Sequence, residues 1–322
     1  MTKTIPYTII GGYLGAGKTT LLNNLLRNSQ GLRLAVLVND FGDINIDADL
    51  VVNRDGETIN LASGCICCSL ADGFMQALAR LRDQADRIDH IIVEASGVSD
   101  PVKIGQYGAI LRYGLDGVIV LADAEQIRDK AANKYVGDTV IRQLRGADLL
   151  VLNKVDLVTP DQLAAVRAWL SDVAPGIRIV EATNGEVPLS ILLGAHVGNL
   201  TNGDQEHAAH DHAAAHNDHA HDHLSPYVTR SFTSEPAVRA ADLHAFLDGL
   251  SEGVLRAKGF VHLADDPDRR YVLQLVGKRW SLSPGEPWGA QSPLTTLVFI
   301  GLQGSLDDQA FARITGAHKL PG

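Results

Sequence analysis

A chain of 322 residues, 45% apolar, has enough material for two packed cores or for one large domain with an appendage. Its formal charge of -10 argues against a broad nucleic-acid or anionic-membrane surface. The opening MTKTIPYTII lacks the long apolar run of a signal peptide, and no later run is long enough to cross a bilayer, so a soluble cytoplasmic protein is expected.

The first predicted strand, Tyr7 to Ile10, runs into GGYLGAGKTT (Gly11 to Thr20), and LLNNLL (Leu21 to Leu26) continues as a helix. Residues Gly12 to Thr19 fit G-x-x-x-x-G-K-[ST], with the strand before and the helix after that the pattern requires. Glycines let successive N–H groups turn toward phosphate oxygens, and the helix starting near Lys18 points its positive end at the same charge. Candidate nucleotide contacts are therefore Gly12, Gly15, Ala16, Gly17, Lys18, Thr19 and Thr20. Lys18 is expected to reach the β and γ phosphates, and the Thr19 hydroxyl to hold magnesium.

A buried parallel strand is predicted at Leu34 to Val38, ending in the polar NDFGDINID (Asn39 to Asp47). Asp40 and Asp43 there face either magnesium or a second metal, or form a solvated turn. The chain's three cysteines follow in LASGCICCSL, at Cys65, Cys67 and Cys68. An odd, crowded set is no secreted disulfide framework, which puts a metal or redox role first. Thiolates favour zinc, copper(I) or other thiophilic ions, and three leave a tetrahedral ion one ligand short. Asp40, Asp43, a histidine or water would complete it, and so open a site suits transfer better than storage. A helical pattern through Phe74, Leu78 and Leu81 comes next, then a central strand, Ile88 to Val93. That strand ends at Glu94 with Ser96 and Gly97 after it, the place where nucleotide hydrolases sense the γ phosphate.

Two more strands are predicted, at Leu115 to Leu121 and Ala147 to Leu152, the second entering NKVD (Asn153 to Asp156). The Asp156 carboxylate can accept two N–H donors from guanine, an arrangement adenine cannot match. Asn153 would hold neighbouring loops, and Lys154 would lay its stem on the base. A helix from Pro160 to Leu170 capped by Thr159, and a strand from Ile177 to Val180, complete this half. The strand leads into EATNGE (Glu181 to Glu186), whose backbone could close over the base.

Eight of the twelve histidines lie between His196 and His223, among alanines and acids. Such a tract cannot fill a core; it is expected to be a disordered linker, a weak multivalent metal binder, or both. Periodicity then resumes with strands at Val228 to Glu235, Lys258 to Ala264, Tyr271 to Gly277, Arg279 to Pro284 and Thr295 to Gly301. Helices are expected at Ala240 to Leu250 and Asp307 to Arg313, and Phe260, Trp280, Trp288 and Phe299 read as core. This half offers no catalytic constellation.

GGYLGAGKTT, VNDFG, GCICC, EASG and NKVD in this order resemble the CobW-like G proteins, relatives of the UreG- and HypB-type maturation GTPases. SFTSEPA, RAKGFVHLAD and GKRWSLSP extend the resemblance into the C-terminal half. Two positions stand out: Asp40 where the family usually has glutamate, and Ser96 at the threonine of E-x-T-G, where serine keeps the hydroxyl and the phosphate-sensing role is expected to survive. The resemblance implies a P-loop GTPase domain with a mostly parallel sheet (1–195), a histidine-rich linker (196–226) and a smaller C-terminal α+β domain (227–322). It implies a GTP-dependent metallochaperone in which zinc, or next cobalt, binds at Cys65, Cys67 and Cys68 and GTP hydrolysis is coupled to metal release. The residues themselves add Asp40 and Asp43 to that ligand set, GTP and magnesium as ligands, and slow hydrolysis with Lys18 and Glu94 as catalytic residues. The expected partner is a metal-requiring client protein, neither nucleic acid nor membrane, with a homo-oligomer left open. A metal sensor or store using GTP as a conformational ligand is the competing expectation.

Overall fold

The structure is a computed structural model that describes residues 4–38, 50–52, 58–60, 70–111, 113–194, 226–306 and 311. The segment with Asp40 and Asp43, the three cysteines, the histidine tract and most of the expected final helix lie outside those residues. Two compact units emerge: Met1–Leu193 with Val276–Arg279, and Gly194–Leu275 with Trp280–Gly322.

In the first unit the elements run β1 (Pro6–Gly12), α1 (Lys18–Arg27), β2 (Leu34–Val38), β3 (Leu50–Val52), β4 (Thr58–Asn60), α2 (Leu70–Arg82), β5 (His90–Glu94) and α3 (Pro101–Ile110). They continue with β6 (Gly114–Asp123), α4 (Ile127–Ala132), α5 (Gly137–Arg145), β7 (Leu149–Asn153), α6 (Pro160–Val173), β8 (Arg178–Ala182) and α7 (Leu189–Leu193). The sheet order is β4-β3-β2-β5-β1-β6-β7-β8. Six strands, β2 through β8 in that order, are parallel, and β3 and β4 add an antiparallel edge. From β1 the chain passes to β2 on one side of it, and after β5 it crosses to β6 on the other side, so the crevice at the end of β1 is a topological switch point.

Apolar runs become central strands because each face is covered. Ile9, Leu37, Ile91, Val93, Val120 and Leu152 share one core with Leu78, Leu81, Leu144 and Leu170. Ile10, Val36, Ile92, Leu121 and Val151 point the other way, onto Leu21, Leu22, Leu25 and Leu192. Helix α6 starts with a capping box: Thr159 Oγ1 accepts from the Gln162 N–H, and Gln162 Oε1 accepts from the Thr159 N–H.

The second unit contains β9 (Tyr227–Ser234), α8 (Ala240–Asp248), β10 (Val254–His262), β11 (Arg269–Val276), β12 (Arg279–Pro287) and β13 (Thr295–Leu302). Its sheet, β12-β11-β10-β13-β9, pairs β10 with β13 and β13 with β9 antiparallel. Leu243 and Leu247 of α8 pack on Val254, Val261, Leu273, Leu297 and Phe299, with Phe232, Phe246 and Phe311 completing an aromatic cluster. Phe299 and Trp288 are buried as expected, whereas Trp280 and Phe260 are half-buried. Trp280 Nε1 donates to Asp248 Oδ1 at 2.9 Å, and the Arg270 guanidinium lies 4.3 Å from the centre of the Phe260 ring.

The expected fold class, an α/β nucleotide-binding architecture plus a smaller α+β unit, is what the chain forms. The structure adds elements the sequence reading omits: β3, β4, α3, α4, α5 and α7. Because β3 and β4 intervene, the strand ending at Glu94 is fifth in the chain, not third. Among the described residues no helix is long and apolar enough to cross a membrane.

Candidate functional site

Parallel pairing brings the strand ends Gly12, Glu94, Asp123, Asn153 and Ala182 to one edge of the sheet. The loop after β1 turns on left-handed backbone at Gly15 (φ 80°) and Gly17 (φ 98°), the latter capping α1. A Cβ at Gly17 would stand 2.3 Å from Asn153 Nδ2, so φ and space both require glycine there. Lys18, 8% exposed, folds back over this loop and donates from Nζ to the Gly12 carbonyl at 3.0 Å. This bond is to a neutral acceptor, and an anionic phosphate oxygen would compete with it for the same ammonium. Thr19 and Thr20 follow on the exposed side of α1.

Glu94 ends β5 at 7% exposure, and its Oε1 accepts from Thr19 Oγ1 at 3.1 Å. A hydroxyl and a carboxylate held together are hard oxygen donors of the kind magnesium takes. The structure therefore joins two residues the sequence places 75 positions apart.

The loop after β7 is tied to the loop after β1 by one side chain. Asn153, 1% exposed, donates from Nδ2 to the Ala16 carbonyl at 2.9 Å and accepts at Oδ1 from the Gly185 N–H at 2.9 Å. Lys154 adopts φ 63°, and its Nζ pairs with Asp123 Oδ2 at 2.7 Å. Asp123 is buried, and its Oδ1 accepts from the N–H groups of Glu125 and Gln126. Asp156 is exposed in the short 3-10 turn Val155–Leu157. The turn in EATNGE follows the neighbouring strand end: Asn184 and Gly185 have positive φ, and the Asn184 carbonyl accepts from Asn24 Nδ2 at 2.8 Å.

Three groups carry structure here that the sequence reading gave no role. Asp123 was visible as an acid just past a strand, the same signal that marks Glu94. Lys130 donates to the Leu14 carbonyl at 2.7 Å, and Gln143 to the carbonyls of Gly97 and Ser99. Neither lies in a recognisable pattern, so only the fold reveals them. Among the described residues no three histidine, cysteine or carboxylate side chains gather as a metal site. Cys65, Cys67, Cys68, Asp40 and Asp43 are outside those residues.

Both halves of the chain match known protein families. The CobW/HypB/UreG nucleotide-binding domain matches residues 6–181, and the cobalamin synthesis protein cobW C-terminal domain matches residues 227–315. The zinc chaperone CobW of a Sinorhizobium species is 34% identical over 95% of this chain and 95% of its own length. The zinc chaperone YjiA of Escherichia coli K12 is 31% identical over 93% of this chain and 94% of its own length. The crystal structure of Zn(II)-bound YjiA GTPase from Escherichia coli aligns over 97% of this chain and 99% of its own, with 26% identity and a TM-score of 0.45. A nucleotide-type crevice built at the switch point of a parallel sheet, together with matches over both halves, means that the chain belongs to the CobW/HypB/UreG family.

Proposed function

We propose that this chain is a GTPase that binds a transition-metal ion, zinc first and cobalt next, and hands it to a client protein as GTP is hydrolysed. The observation that carries the nucleotide half is the Asn153 amide, which joins the loop holding Lys18 to the loop holding Asp156. A guanine bound at Asp156 and phosphates bound at the glycine loop then belong to one ligand.

Each residue has a task in this reading. The N–H groups from Gly12 to Thr20 and the start of α1 take the phosphate oxygens, and Lys18 exchanges the Gly12 carbonyl for the β and γ phosphates. Thr19 and Glu94 supply the oxygens for magnesium, which when bound would neutralise charge developing between the β and γ phosphates. Glu94, held by Thr19, would also orient the attacking water in this reading. Lys154 and Asp156 recognise guanine, Lys154 keeping its Asp123 partner as it lies under the base.

The cargo half rests on sequence and kinship. Cys65, Cys67 and Cys68 fall between β4 and α2, in the interval between the phosphate loop and Glu94, and two full-length relatives are zinc chaperones. Asp40 and Asp43 complete the proposed ligand set, and thiolates of this kind stay reduced in a cytoplasmic location. Residues 1–195 are the GTPase domain with the cysteine motif, 196–226 a histidine-rich linker and 227–322 the C-terminal α+β domain in this reading.

Zinc titration tests it, using wild type and the Cys65, Cys67, Cys68 triple serine variant, each with GDP and with a non-hydrolysable GTP analogue. The wild type is expected to differ at least about tenfold in zinc affinity between nucleotides. The triple variant is expected to lose the tight site. Equal affinities in both nucleotide states would defeat the delivery reading, and a client apo-enzyme activated only when GTP is hydrolysed would exclude a metal sensor or store that uses GTP as a conformational ligand.

A further inference from the structure

The loop after β1 and the turn after β5 meet at Leu14 and Gly97. A Cβ placed on Gly97 would stand 2.5 Å from Leu14 Cδ2 and 2.9 Å from Leu14 N, so the two backbones are in close approach. What holds the turn in that position is a side chain from elsewhere. Gln143, on α5 and 2% exposed, donates from Nε2 to the Gly97 carbonyl at 3.0 Å and to the Ser99 carbonyl at 2.8 Å. Both partners are carbonyl oxygens, which fixes the amide with its nitrogen toward the turn. Inside the turn the Ser99 N–H donates to the Ser96 carbonyl at 2.9 Å, closing it on itself.

The helix carrying Gln143 is itself well anchored, with Val140 and Leu144 in the main core. Its neighbour α4 reaches the other loop, where Lys130 Nζ meets the Leu14 carbonyl and lies 5.2 Å from the Tyr13 ring centre. Two short helices, consecutive in the chain, therefore grip both loops that border the γ-phosphate end of the proposed site.

We infer that Gln143 is a positioning residue for GTP hydrolysis. Its amide sets where the backbone from Ala95 to Ser99 stands against the phosphate loop. The inference rests on the reading of this site as a GTPase centre, and it concerns the triphosphate rather than nucleotide binding in general. A neutral amide suits the task because its two N–H bonds serve two carbonyls without burying a charge. An ionised glutamate offers no donor there, and a hydrocarbon would leave both carbonyls buried and unpaired. GDP lacks the group that this turn would meet, so loosening the turn penalises GTP selectively.

The test compares Gln143→Met, which keeps the shape and removes the donors, with Val140→Ala, which weakens the same helix but touches neither loop. Affinities for GDP and for guanosine 5′-(β,γ-imido)triphosphate, kcat, and Tm are measured on the full chain. Gln143→Met is expected to lose about tenfold in analogue affinity and about tenfold in kcat, the size of a lost buried hydrogen-bond pair, with GDP affinity within about twofold. Val140→Ala is expected to lower Tm and leave the analogue-to-GDP ratio unchanged. Gln143→Asn, with its amide drawn back by one methylene, takes the place of the methionine variant if that one does not fold, with a loss of about threefold expected. Parallel losses for both nucleotides, or a wild-type ratio in a folded variant, would overturn the inference. Lys18→Ala separates the two failures. If it abolishes nucleotide binding while Gln143→Met behaves as wild type, only the positioning role falls; if it binds both nucleotides normally, the reading of the site falls first.

Discussion

Each unit is built on one sheet, of eight strands in the first and five in the second, yet only one gathers polar chemistry at a single place. The six parallel strands of the first sheet all end on the same edge, so Glu94, Asp123 and Asn153 arrive side by side with the loop after Gly12. In the antiparallel sheet neighbouring strands run in opposite senses, and each edge alternates strand ends with strand starts. Its polar and aromatic contacts are accordingly scattered: Trp280 with Asp248 and His244, Phe260 with Arg270, His262 beside Trp288. Strand direction, more than residue content, decides which unit can assemble a converging site.

If that division is sound, damage to one unit should spare the other's property. The largest effect is expected from Phe299→Ala, which removes a ring packed against Phe232 and Phe246 in the second core. It should cost about 3–5 kcal/mol of that unit's stability. Urea unfolding followed by tryptophan fluorescence measures this, because Trp280 and Trp288 report the second unit and Trp169 the first. A matching loss of GTP affinity would break the comparison by showing the units to be energetically one.

Asp156→Asn is the reciprocal change. An amide at Asp156 can accept from guanine N1–H but presents its own N–H₂ to the guanine amino group, so GTP affinity should fall about 100-fold. Xanthosine triphosphate, with a carbonyl in place of that amino group, should bind better than it does to the wild type. Unfolding of the second unit should not change. Competition between the two nucleotides reads this directly, and an unaltered preference for GTP would remove Asp156 from base recognition.

The smallest effect concerns the floor of the parallel sheet. Tyr7 and Tyr113 sit edge to face and donate to the carbonyls of Gly105 and Leu78, and burial pushes each phenol up from 10 to about 12. The neutral ring is thus favoured in the folded state. That contribution is complete below pH 10, where the unfolded phenol begins to ionise, and is lost as pH rises through about 12. Stability should fall on the order of 2 kcal/mol per tyrosine across this window. Tyr7→Phe should flatten the fall measured by denaturant titration between pH 9 and pH 12; an unchanged slope would mean the Tyr7 phenol ionises as freely in the fold as outside it.

Local pattern makes much of this molecule readable, and its failures have physical causes. Central strands such as Leu34–Val38 declare themselves because both faces are buried, and α6 because Thr159, Pro160 and Gln162 form a start signal. Helix α3 stays hidden because GQYGAI looks too rich in glycine. Yet a Cβ at Gly108 would lie 2.2 Å from the Tyr7 ring, so glycine serves close packing on β1. The three-residue strands β3 and β4 are too short to show a period. In the site, Lys18, Glu94, Asn153 and Asp156 are legible because strand ends and a glycine loop mark them. Lys130 and Gln143 are not, since their partners are backbone carbonyls more than 40 residues away, and a carbonyl leaves no trace in the amino-acid letters.

The Asn153 carboxamide spans loops whose attachment points are far apart along the chain, clasping Ala16 with one atom and Gly185 with the other. A guest arriving at this crevice consequently meets a receptor whose ribs are already braced, and little of its binding energy is diverted into ordering them. Dwell time should then be governed by how firmly the guest is gripped rather than by how slowly its berth takes shape.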